Sequence, residues 1–383
     1  MNPAFFINSG LRRQFEAATL RREAATSDAA LADRQLAAVA RSWADASADI
    51  PYYAQLVSEK RAPAAIGDWS DVAGLPVLTR QAVQAHASAF IRRSGPPDGF
   101  MTTAGSTGTP LRLGMDQAER DLMRIVKLSE WQRFGYGRSS RLFLIWGHAH
   151  LLGTGWRGRV NHLKRRLTDA GLGYRRVDAY RLTRETCATY AEELIAFGPT
   201  GLIGYASALD LFARYTVAFR DRFRRVGLQF VLATAEALPR ADSLGMLEDH
   251  FGCPVVQEYG GAEFGQVAFK VQDRPFETYG DLNLVETRQS DGDSGALLVT
   301  SLYRRYVPLI RYQVGDAVDG AETTRHGHVT RFAALRGRVN DVILVGEGDA
   351  VHSVAVFHCV HQEPVHNIQL VLHDAGAELR LVA

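Results

Sequence analysis

Short apolar runs alternate with helix-like segments through the middle of this chain. The composition of buried strands occurs in RLFLIWG, GLIGY, LQFVLATAE and CPVVQEY, and helical spacing occurs in ETCATYAEELIAFG and PRADSLGMLEDHFG. Alternation at this spacing predicts an α/β fold with a largely parallel sheet. Ligands of such sheets lie at the carboxyl ends of the strands, so we expect the functional residues in the loops that follow these runs.

The two flanking regions have different patterns. From about Leu11 to Ala46 the chain has neither Pro nor Gly and is rich in Ala, Arg, Glu and Leu, which predicts helix until DIPYYAQL breaks it. Beyond Lys270, closely spaced strand signals such as LNLVET, GALLVTSL and HVTRFAAL predict an antiparallel or barrel-like section. The stretch that opens at GRVNDVILVGEG has room for only a few short elements.

Composition excludes several classes of protein. The 44 Lys and Arg nearly balance the 42 Asp and Glu among 383 residues, which argues against nucleic acid or an anionic membrane as the main partner. No apolar stretch reaches the roughly 20 residues of a membrane helix, and the N-terminus has no secretory signal pattern. The three cysteines are odd in number and far apart, so the simplest expectation is a reduced, cytoplasmic setting.

One run, TTAGSTGTP from Thr102 to Pro110, has no large apolar residue. Such a run is either a plain linker or a loop built to hold a ligand. Its hydroxyls, its glycines and its unshielded backbone N–H groups are suited to binding phosphate. It lacks the lysine and the spacing of the Walker loop, so a Walker-type NTPase is not indicated.

Three further motifs follow in order. QEYGGAEFG spans Gln257 to Gly265, PLIRYQVGD spans Pro308 to Asp316, and GRVND spans Gly337 to Asp341. Together with the glycine-rich run, this ordered set resembles the adenylate-forming superfamily of acyl-CoA synthetases and related ligases, with the phenylacetate-CoA ligase-like branch as the nearest match. The resemblance extends from about Ile50 to Val351. It implies an N-terminal adenylation domain over residues 1–336, with parallel sheets flanked by helices plus a barrel-like β section. Residues 337–383 would form the hinge and the remnant of a small C-terminal domain.

The resemblance also implies an activity. In this superfamily ATP, with Mg²⁺, and a carboxylic acid give an acyl-adenylate and pyrophosphate, and a second nucleophile then displaces AMP. The expected partners are therefore ATP and a small, potentially aromatic, acid. The acceptor would be coenzyme A or, as an alternative, an amine or a carrier-protein thiol. The oligomeric state stays open, with a homodimer as one option.

Residue by residue, the resemblance assigns the nucleotide site. Mg²⁺ would bind Glu263, and Arg338 would reach the ribose or a phosphate; these two and Thr107 are the expected catalytic residues. Tyr259 would lie against the adenine, Gly260 and Gly261 would let the backbone approach the nucleotide and the acyl group, and Asp316 would accept hydrogen bonds from the ribose hydroxyls. The β- and γ-phosphates would be cradled by Thr102, Thr103, Gly105, Ser106, Thr107 and Gly108. Thr109 stands where many relatives have lysine.

The acid and adenine pockets are assigned less completely. Ala235 and Glu236, in ATAEAL, stand where relatives contact the adenine edge, although a strand end of small residues is also ordinary packing. For the acid, the candidates are Trp146, His148, His150, Tyr205, Ser207 and Gly261. The alternative to a pocket role is a core position for Trp146 and a structural role for each histidine.

The C-terminal region departs from the superfamily pattern. Asn340 replaces the first aspartate of the hinge, and the 42 residues after Asp341 contain no lysine, whereas relatives end with a lysine that contacts the reacting carboxylate. Three alternatives follow: the chain is truncated, it works without that cation, or it adenylates poorly. The last would make it a nucleotide-binding partner or regulatory subunit. The candidates to replace the missing lysine are Arg157, Arg159 and Lys164. The alternative interpretation of these three residues is a solvated helix end.

A second feature of this region is the cluster of His358, Cys359, His361 and His366. Its spacing is compatible with metal ligands. No second Cys/His pair lies nearby, so a chance cluster on a surface element is the preferred interpretation.

Overall fold

The computed structural model describes residues 9–23, 28–102, 111–147, 155–289 and 294–336, and four short strands between 342 and 382. The helices are α1 Ser9–Glu23, α2 Asp28–Asp49, α3 Pro51–Ser58, α4 Trp69–Gly74, α5 Arg80–Ala85, α6 Gln117–Arg133, α7 Gly155–Gly171, α8 Arg184–Phe197, α9 Ala206–Tyr215, α10 Arg220–Val226 and α11 Ser243–Phe251.

The strands follow the order of the chain. They are β1 Gly99–Thr102, β2 Arg112–Met115, β3 Leu142–Ile145, β4 Tyr174–Val177, β5 Gly201–Tyr205, β6 Phe230–Thr234, β7 Val255–Gly261, β8 Gly265–Val271, β9 Phe276–Thr278, β10 Asn283–Gln289, β11 Ser294–Ser301, β12 Tyr312–Asp319, β13 Glu322–Thr323, β14 Val329–Phe332, β15 Ala334–Arg336, β16 Val342–Val345, β17 Asp349–His352, β18 Asn367–His373 and β19 Gly376–Val382.

A nine-stranded sheet in the order β13-β14-β9-β8-β7-β6-β5-β3-β4 forms the centre of the molecule. Five neighbouring strands of this sheet, β7, β6, β5, β3 and β4, are parallel. The remaining pairings, β7 with β8, β8 with β9, β9 with β14 and β14 with β13, are antiparallel. Strands β3, β5 and β6 are apolar along almost their whole length, because both faces of this part of the sheet are covered.

Each face of the parallel strands packs against its own set of helices. One core contains Phe143 and Val231 of the sheet together with Leu194 of α8 and Leu209 of α9. The opposite core contains alternate residues of the same strands, packed against α6 and α1. Because successive residues of a strand point to opposite faces, the two cores divide each strand between them.

A four-stranded antiparallel sheet, β10-β11-β12-β15, lies in a third core with the N-terminal helices. Trp43 and Ile50 of the N-terminal helical region pack there with Val299 of β11 and Tyr312 of β12. Leu78 forms a parallel bridge with Tyr312, so the segment before α5 runs alongside β12. The expected antiparallel or barrel-like section is thus confirmed, as is the α/β class. The large sheet is mixed, because four of its eight strand pairings are parallel and four are antiparallel.

Two features differ from the sequence expectations. The helical region from Leu11 to Ala46 belongs to two helices, and Pro51 opens a further helix because proline is favourable in a first turn. Strand β4 has the sequence YRRV, whose polar residues gave no strand signal; it lies at the sheet edge, where one side has no neighbouring strand.

Within the described residues, no helix is both long enough and apolar enough to cross a membrane.

Candidate active site

Four of the parallel strands present predicted site residues at one edge of the sheet. The pairing registers place Ile145, Gly204, Ala233 and Gln257 side by side across β3, β5, β6 and β7. The residues that follow these positions therefore meet at the carboxyl edge, as expected for a ligand site in such a sheet. The predicted residues gathered there are Trp146, Tyr205, Ser207, Ala235, Glu236, Tyr259, Gly260, Gly261 and Glu263.

Aromatic rings form one side of this edge. Trp146 and Tyr205 are stacked, with ring centroids 4.3 Å apart and planes 18° apart. Tyr180, which follows β4 and has no distinctive sequence signal, places its hydroxyl 3.4 Å from that of Tyr205. Burial raises the pKa of both phenols, so they are neutral at physiological pH. Trp146 packs against the edge of the core and also lines a cavity. It therefore combines a core position with a position at a cavity, the two alternatives that the sequence left open.

Glu236 joins two of the strand ends. Its Oε1 accepts hydrogen bonds from the backbone N–H of Ser207 at 2.8 Å and from the Ser207 hydroxyl at 2.5 Å. Ser207 lies in the first turn of α9, where free N–H groups favour a carboxylate. Ala235 adopts a left-handed backbone with φ of 71°, which turns the chain so that Glu236 reaches this helix. The carboxylate thus ties the end of β6 to the start of α9.

Tyr259 and Asp316 meet although 57 residues separate them. The Tyr259 hydroxyl donates a hydrogen bond to Asp316 Oδ2 at 2.7 Å. Tyr259 lies on β7 and Asp316 on β12, so this bond links the nine-stranded sheet to the four-stranded sheet. The residues predicted to contact the adenine and the ribose are therefore neighbours.

The turn between β7 and β8 is tightly packed around its glycines. A Cβ on Gly260 would lie 2.4 Å from the carbonyl oxygen of Gly265. A Cβ on Gly261 would lie 2.9 Å from the Phe264 ring and 3.1 Å from Glu263 Oε2. A side chain at position 260 would require a shift of the backbone, and a side chain at position 261 would displace the Phe264 ring or the Glu263 carboxylate.

Glu263 is paired with Arg80, a residue that the sequence motifs did not identify. Arg80 Nη1 lies 3.3 Å from Glu263 Oε1, and their side chains are only 20% and 15% exposed. Arg80 opens α5 directly after Thr79, which caps that helix. No short-range pattern could have predicted the pair, because 183 residues separate its members.

Arg304 is a second functional candidate that sequence reasoning missed. It is 1% exposed, and its Nη2 donates to the carbonyl oxygen of Gly114 in β2 at 2.9 Å. Its Nη1 lies 3.5 Å from the carbonyl oxygen of Ala262, beside Glu263. No described carboxylate forms an ion pair with Arg304. The guanidinium therefore fastens the outgoing strand of the glycine-rich hairpin to the turn that carries Glu263.

The glycine-rich run joins two paired strands. Thr102 at the end of β1 lies opposite Arg112 of β2. The predicted phosphate-binding residues Thr103, Gly105, Ser106, Thr107 and Gly108 lie outside the described residues, as does Thr109. The same is true of His148, His150, Arg338, Asn340 and Asp341, and of the His358, Cys359, His361 and His366 cluster. Their assignments remain predictions.

A cavity of about 480 Å³ opens beside this edge, between α6 and the sheet. Its sheet side includes Leu144, Ile203 and Leu232, and it reaches the carboxyl edge at Trp146 and Thr234. Of the candidates for the acid pocket, Trp146 lines this cavity, whereas Tyr205 and Ser207 do not. His162 and the exposed Lys164, on α7, do not line this cavity.

Among the described residues, no group of three or more His, Cys, Asp or Glu could enclose a metal ion. Glu263 offers one carboxylate. A single carboxylate fits Mg²⁺ that arrives with a nucleotide, because such ions are bound by one or two carboxylates plus substrate phosphates.

Comparison with solved structures places the whole arrangement in a known fold. A 2-hydroxyisobutyryl-CoA ligase, in a complex with 2-HIB-AMP and CoA in its thioesterification state, superposes with a TM-score of 0.61 at 16% identity over 93% of this chain and 79% of that chain. An open conformation of the same ligase gives 0.58 over 91% and 83%. This chain has the adenylate-forming fold. The four ordered motifs resemble the same superfamily.

Sequence comparison extends over a shorter segment of this chain. Protein CapK of Staphylococcus aureus is 28% identical over 148 residues, which are 37% of this chain and 31% of CapK. The match thus spans about a third of that curated relative. No family model matches the chain.

Proposed function

We propose that this protein is an ATP-dependent acid ligase of the phenylacetate-CoA ligase-like type, which forms an acyl-adenylate and passes the acyl group to coenzyme A or another nucleophile. The hydrogen bond between Tyr259 and Asp316 carries this proposal. It unites the two motifs assigned to adenosine at the carboxyl edge, close to the turn that holds Glu263. The fold of the 2-hydroxyisobutyryl-CoA ligase, crystallised with 2-HIB-AMP and CoA, supports the same reaction class.

The reaction divides into two balanced displacements. In the first, a carboxylate oxygen of the acid attacks the α-phosphorus of ATP, the bond from that phosphorus to the bridging oxygen breaks, and pyrophosphate leaves. In the second, a thiol or an amine attacks the acyl carbon, the carbon–oxygen bond to AMP breaks, and the nucleophile loses its proton. Both steps depend on positioning of the reactants and stabilisation of developing charge rather than on covalent participation of the protein.

The described residues supply much of that positioning. Tyr259 offers a ring face to the adenine, and the Asp316 carboxylate accepts from the ribose hydroxyls. Glu263 would hold Mg²⁺, which neutralises phosphate charge when the nucleotide is bound, and Arg80 fixes the Glu263 carboxylate beforehand. The stacked Trp146 and Tyr205 would border the acyl group, which suits an aromatic acid.

The activity is tested by pyrophosphate release. Incubation with ATP, Mg²⁺ and a panel of small aliphatic and aromatic acids should release pyrophosphate with at least one acid, and hydroxylamine should trap the acyl group. Calorimetry with AMP measures the nucleotide site separately. Nucleotide binding without turnover on any acid would support the regulatory alternative, and absence of both would refute the proposal.

Single variants locate the nucleotide. We expect Asp316→Ala to weaken AMP binding by about 10- to 100-fold or more, because hydrogen bonds to a charged group contribute about 1.5–3 kcal/mol each. Tyr259→Phe keeps the ring and should weaken binding by less than about 10-fold. Asp221→Ala, on the exposed surface of α10, is the matched control and should bind AMP as the unaltered protein does. Equal affinities for all three variants would place the nucleotide elsewhere.

A further inference from the structure

One face of α6 forms a wall of the cavity and is unusually basic. The residues on this wall recur at helical spacing, as expected for a single face of a helix. They are Arg120, Met123, Arg124, Lys127, Leu128 and Trp131. A helix that covers a sheet normally presents an apolar stripe, whereas half of these side chains are cations.

The opposite wall is mostly apolar. Leu142, Leu144, Ile203 and Leu232 contribute to it from β3, β5 and β6. The cavity therefore combines an apolar floor with positively charged groups on one side. It runs from the carboxyl edge toward the beginning of the strands, because it is lined by Thr234 at the end of β6 and by Leu142 at the start of β3.

The three cations of α6 make no ion pair with any described carboxylate. Arg120 donates to the Met115 carbonyl at 3.3 Å, and Arg124 donates to the Gln14 side chain at 3.3 Å. Lys127 lies over the Trp131 ring at 4.7 Å. The described partners of these groups are thus neutral acceptors and a ring face, and Arg124 is exposed to solvent.

Two other charged groups line the cavity. Arg176 is neutralised by Asp169, with contacts of 3.0 and 3.1 Å. Glu258 is 8% exposed and lies 3.3 Å from the Tyr279 hydroxyl. One carboxylate and three cations that form no ion pair among the described residues therefore line the cavity, so its lining has an excess of positive charge. A cavity that is otherwise apolar favours an anion at such a place.

We propose that the acid activated by this protein carries a second anionic group, which Arg124 and Lys127 recognise inside this cavity while its reacting carboxylate lies at the strand edge. This inference rests on the proposed ligase function. The helical rise separates Arg124 and Lys127 by about 4.5 Å along α6, so they are neighbours on this face. The substrate is thus an acid whose two charged ends are separated by an apolar chain or ring that lies along the apolar floor of the cavity.

Pairs of acids test this inference. The rate of pyrophosphate release is compared for octanedioic acid and octanoic acid, and for benzene-1,4-dicarboxylic acid and 4-methylbenzoic acid. We expect kcat/KM to favour the dicarboxylic member of at least one pair by about 10-fold or more, since each charged hydrogen bond in a partly desolvated site contributes about 1.5–3 kcal/mol.

Variants assign the preference to α6. Arg124→Gln, Lys127→Gln and the double variant should each reduce kcat/KM for the dicarboxylic acid by about 10- to 100-fold, with little change for the monocarboxylic acid. Arg225→Gln, an exposed cation on α10, is the control and should leave both values unchanged. AMP affinity and the KM for coenzyme A are measured in parallel, because phosphate groups are the other source of a second anion.

The outcomes separate the inference from the function on which it rests. Turnover without preference within either pair, or a preference that the α6 variants leave intact, overturns the inference and leaves the ligase function standing. Loss of AMP or coenzyme A affinity in the variants, with the acid preference unchanged, also overturns it and assigns the cations to phosphate. Absence of both AMP binding and pyrophosphate release refutes the ligase function, and the inference falls with it.

Discussion

At the scale of single residues, the candidate site depends on backbone positions as much as on charged side chains. Gly260 has no room for a Cβ because the Gly265 carbonyl oxygen is too close, and Ala235 turns the chain through a left-handed conformation. Left-handed geometry at a residue other than glycine costs free energy and is often found at functional sites. The positions of Glu236 and Glu263 follow from these two turns.

Substitution of Gly260 tests whether the site depends on this close packing of the backbone. Gly260→Ala should destabilise the protein by about 2 kcal/mol or more, because its Cβ would overlap backbone that cannot rotate away, and it should also reduce any activity that uses Glu263. Gly245→Ala is the matched control, since Gly245 lies in α11 with open space around it. That change should stabilise by about 0.5–1 kcal/mol. Denaturant unfolding measures both; similar stabilities for the two variants would contradict this account.

Sequence motifs predicted some of these residues and not others. Tyr259, Glu263 and Asp316 stand in compact motifs that resemble a known superfamily, and the fold brings the first and last of them into contact. Arg80 and Arg304 have no such motif. Their roles arise from contacts with residues more than 180 positions away or from complete burial, and neither is visible in a local pattern.

At the scale of elements, Arg311 clamps three segments together. Its guanidinium contacts both oxygens of Glu286 on β10 at 3.1 Å, and its Nη1 donates to the carbonyl oxygens of Ala73 and Leu75 at the end of α4. The motif that contains Arg311 thus has two parts: the arginine holds the β section to the N-terminal helices, and Asp316, the proposed ribose ligand, bonds to Tyr259.

The stability lost when Arg311 is removed should depend on pH. Burial raises the pKa of Glu286, and Arg311 opposes that rise. Arg311→Met leaves a buried, uncompensated carboxylate and should cost about 3–5 kcal/mol at neutral pH. A raised pKa in the folded state means that protonation favours folding, so the deficit should shrink as pH falls toward about 4–5.

Unfolding by urea at several pH values checks this prediction. The double variant Arg311→Met/Glu286→Gln removes both charges and should recover part of the lost stability at neutral pH. A deficit that stays constant with pH, or one that the second substitution does not relieve, would show that Glu286 is not the source of the cost.

The sequence predicts strands most clearly where both faces of the sheet are buried. Strands β3, β5 and β6 are apolar throughout because helices cover both faces, so their sequences are unmistakable. Strand β4 is different: its arginines pair with Glu193 and Asp169, and its stability comes from these contacts and from pairing with β3. A four-residue polar strand of this kind carries no periodic signal.

At the scale of the whole molecule, two buried histidines connect acidity to stability. Burial and then the positive charge of Arg220 and Arg224 lower the pKa of His250 to about 4, with Asp249 opposing them. Burial and the neighbouring His326 lower the pKa of His328 to about 4. The two histidines lie in different parts of the fold, one in α11 and one before β14.

Stability should therefore fall on acidification. The unfolded chain binds these protons near pH 6.5, whereas the folded protein remains unprotonated at both sites until about pH 4. The free energy of unfolding is retained above about pH 6.5 and decreases below it, by at most about 1.4 kcal/mol per pH unit for each histidine.

Unfolding measurements between these pH values provide the test. His250→Asn should flatten the dependence, whereas His162→Gln, on the exposed side of α7, should leave the slope unchanged. Equal slopes for the unaltered protein and His250→Asn would exclude His250 as a contributor.

The third core has a consequence for synthesis on the ribosome. Trp43 and Ile50 pack against Val299 and Tyr312, and β9 completes its pairing only with β14, which ends at Phe332. Helices α2 and α3 therefore lack their apolar partners in the four-stranded sheet until nearly the whole described chain has emerged. During that interval their hydrophobic faces are available to chaperones, and the nascent protein is most vulnerable to aggregation before its last sheet strands appear.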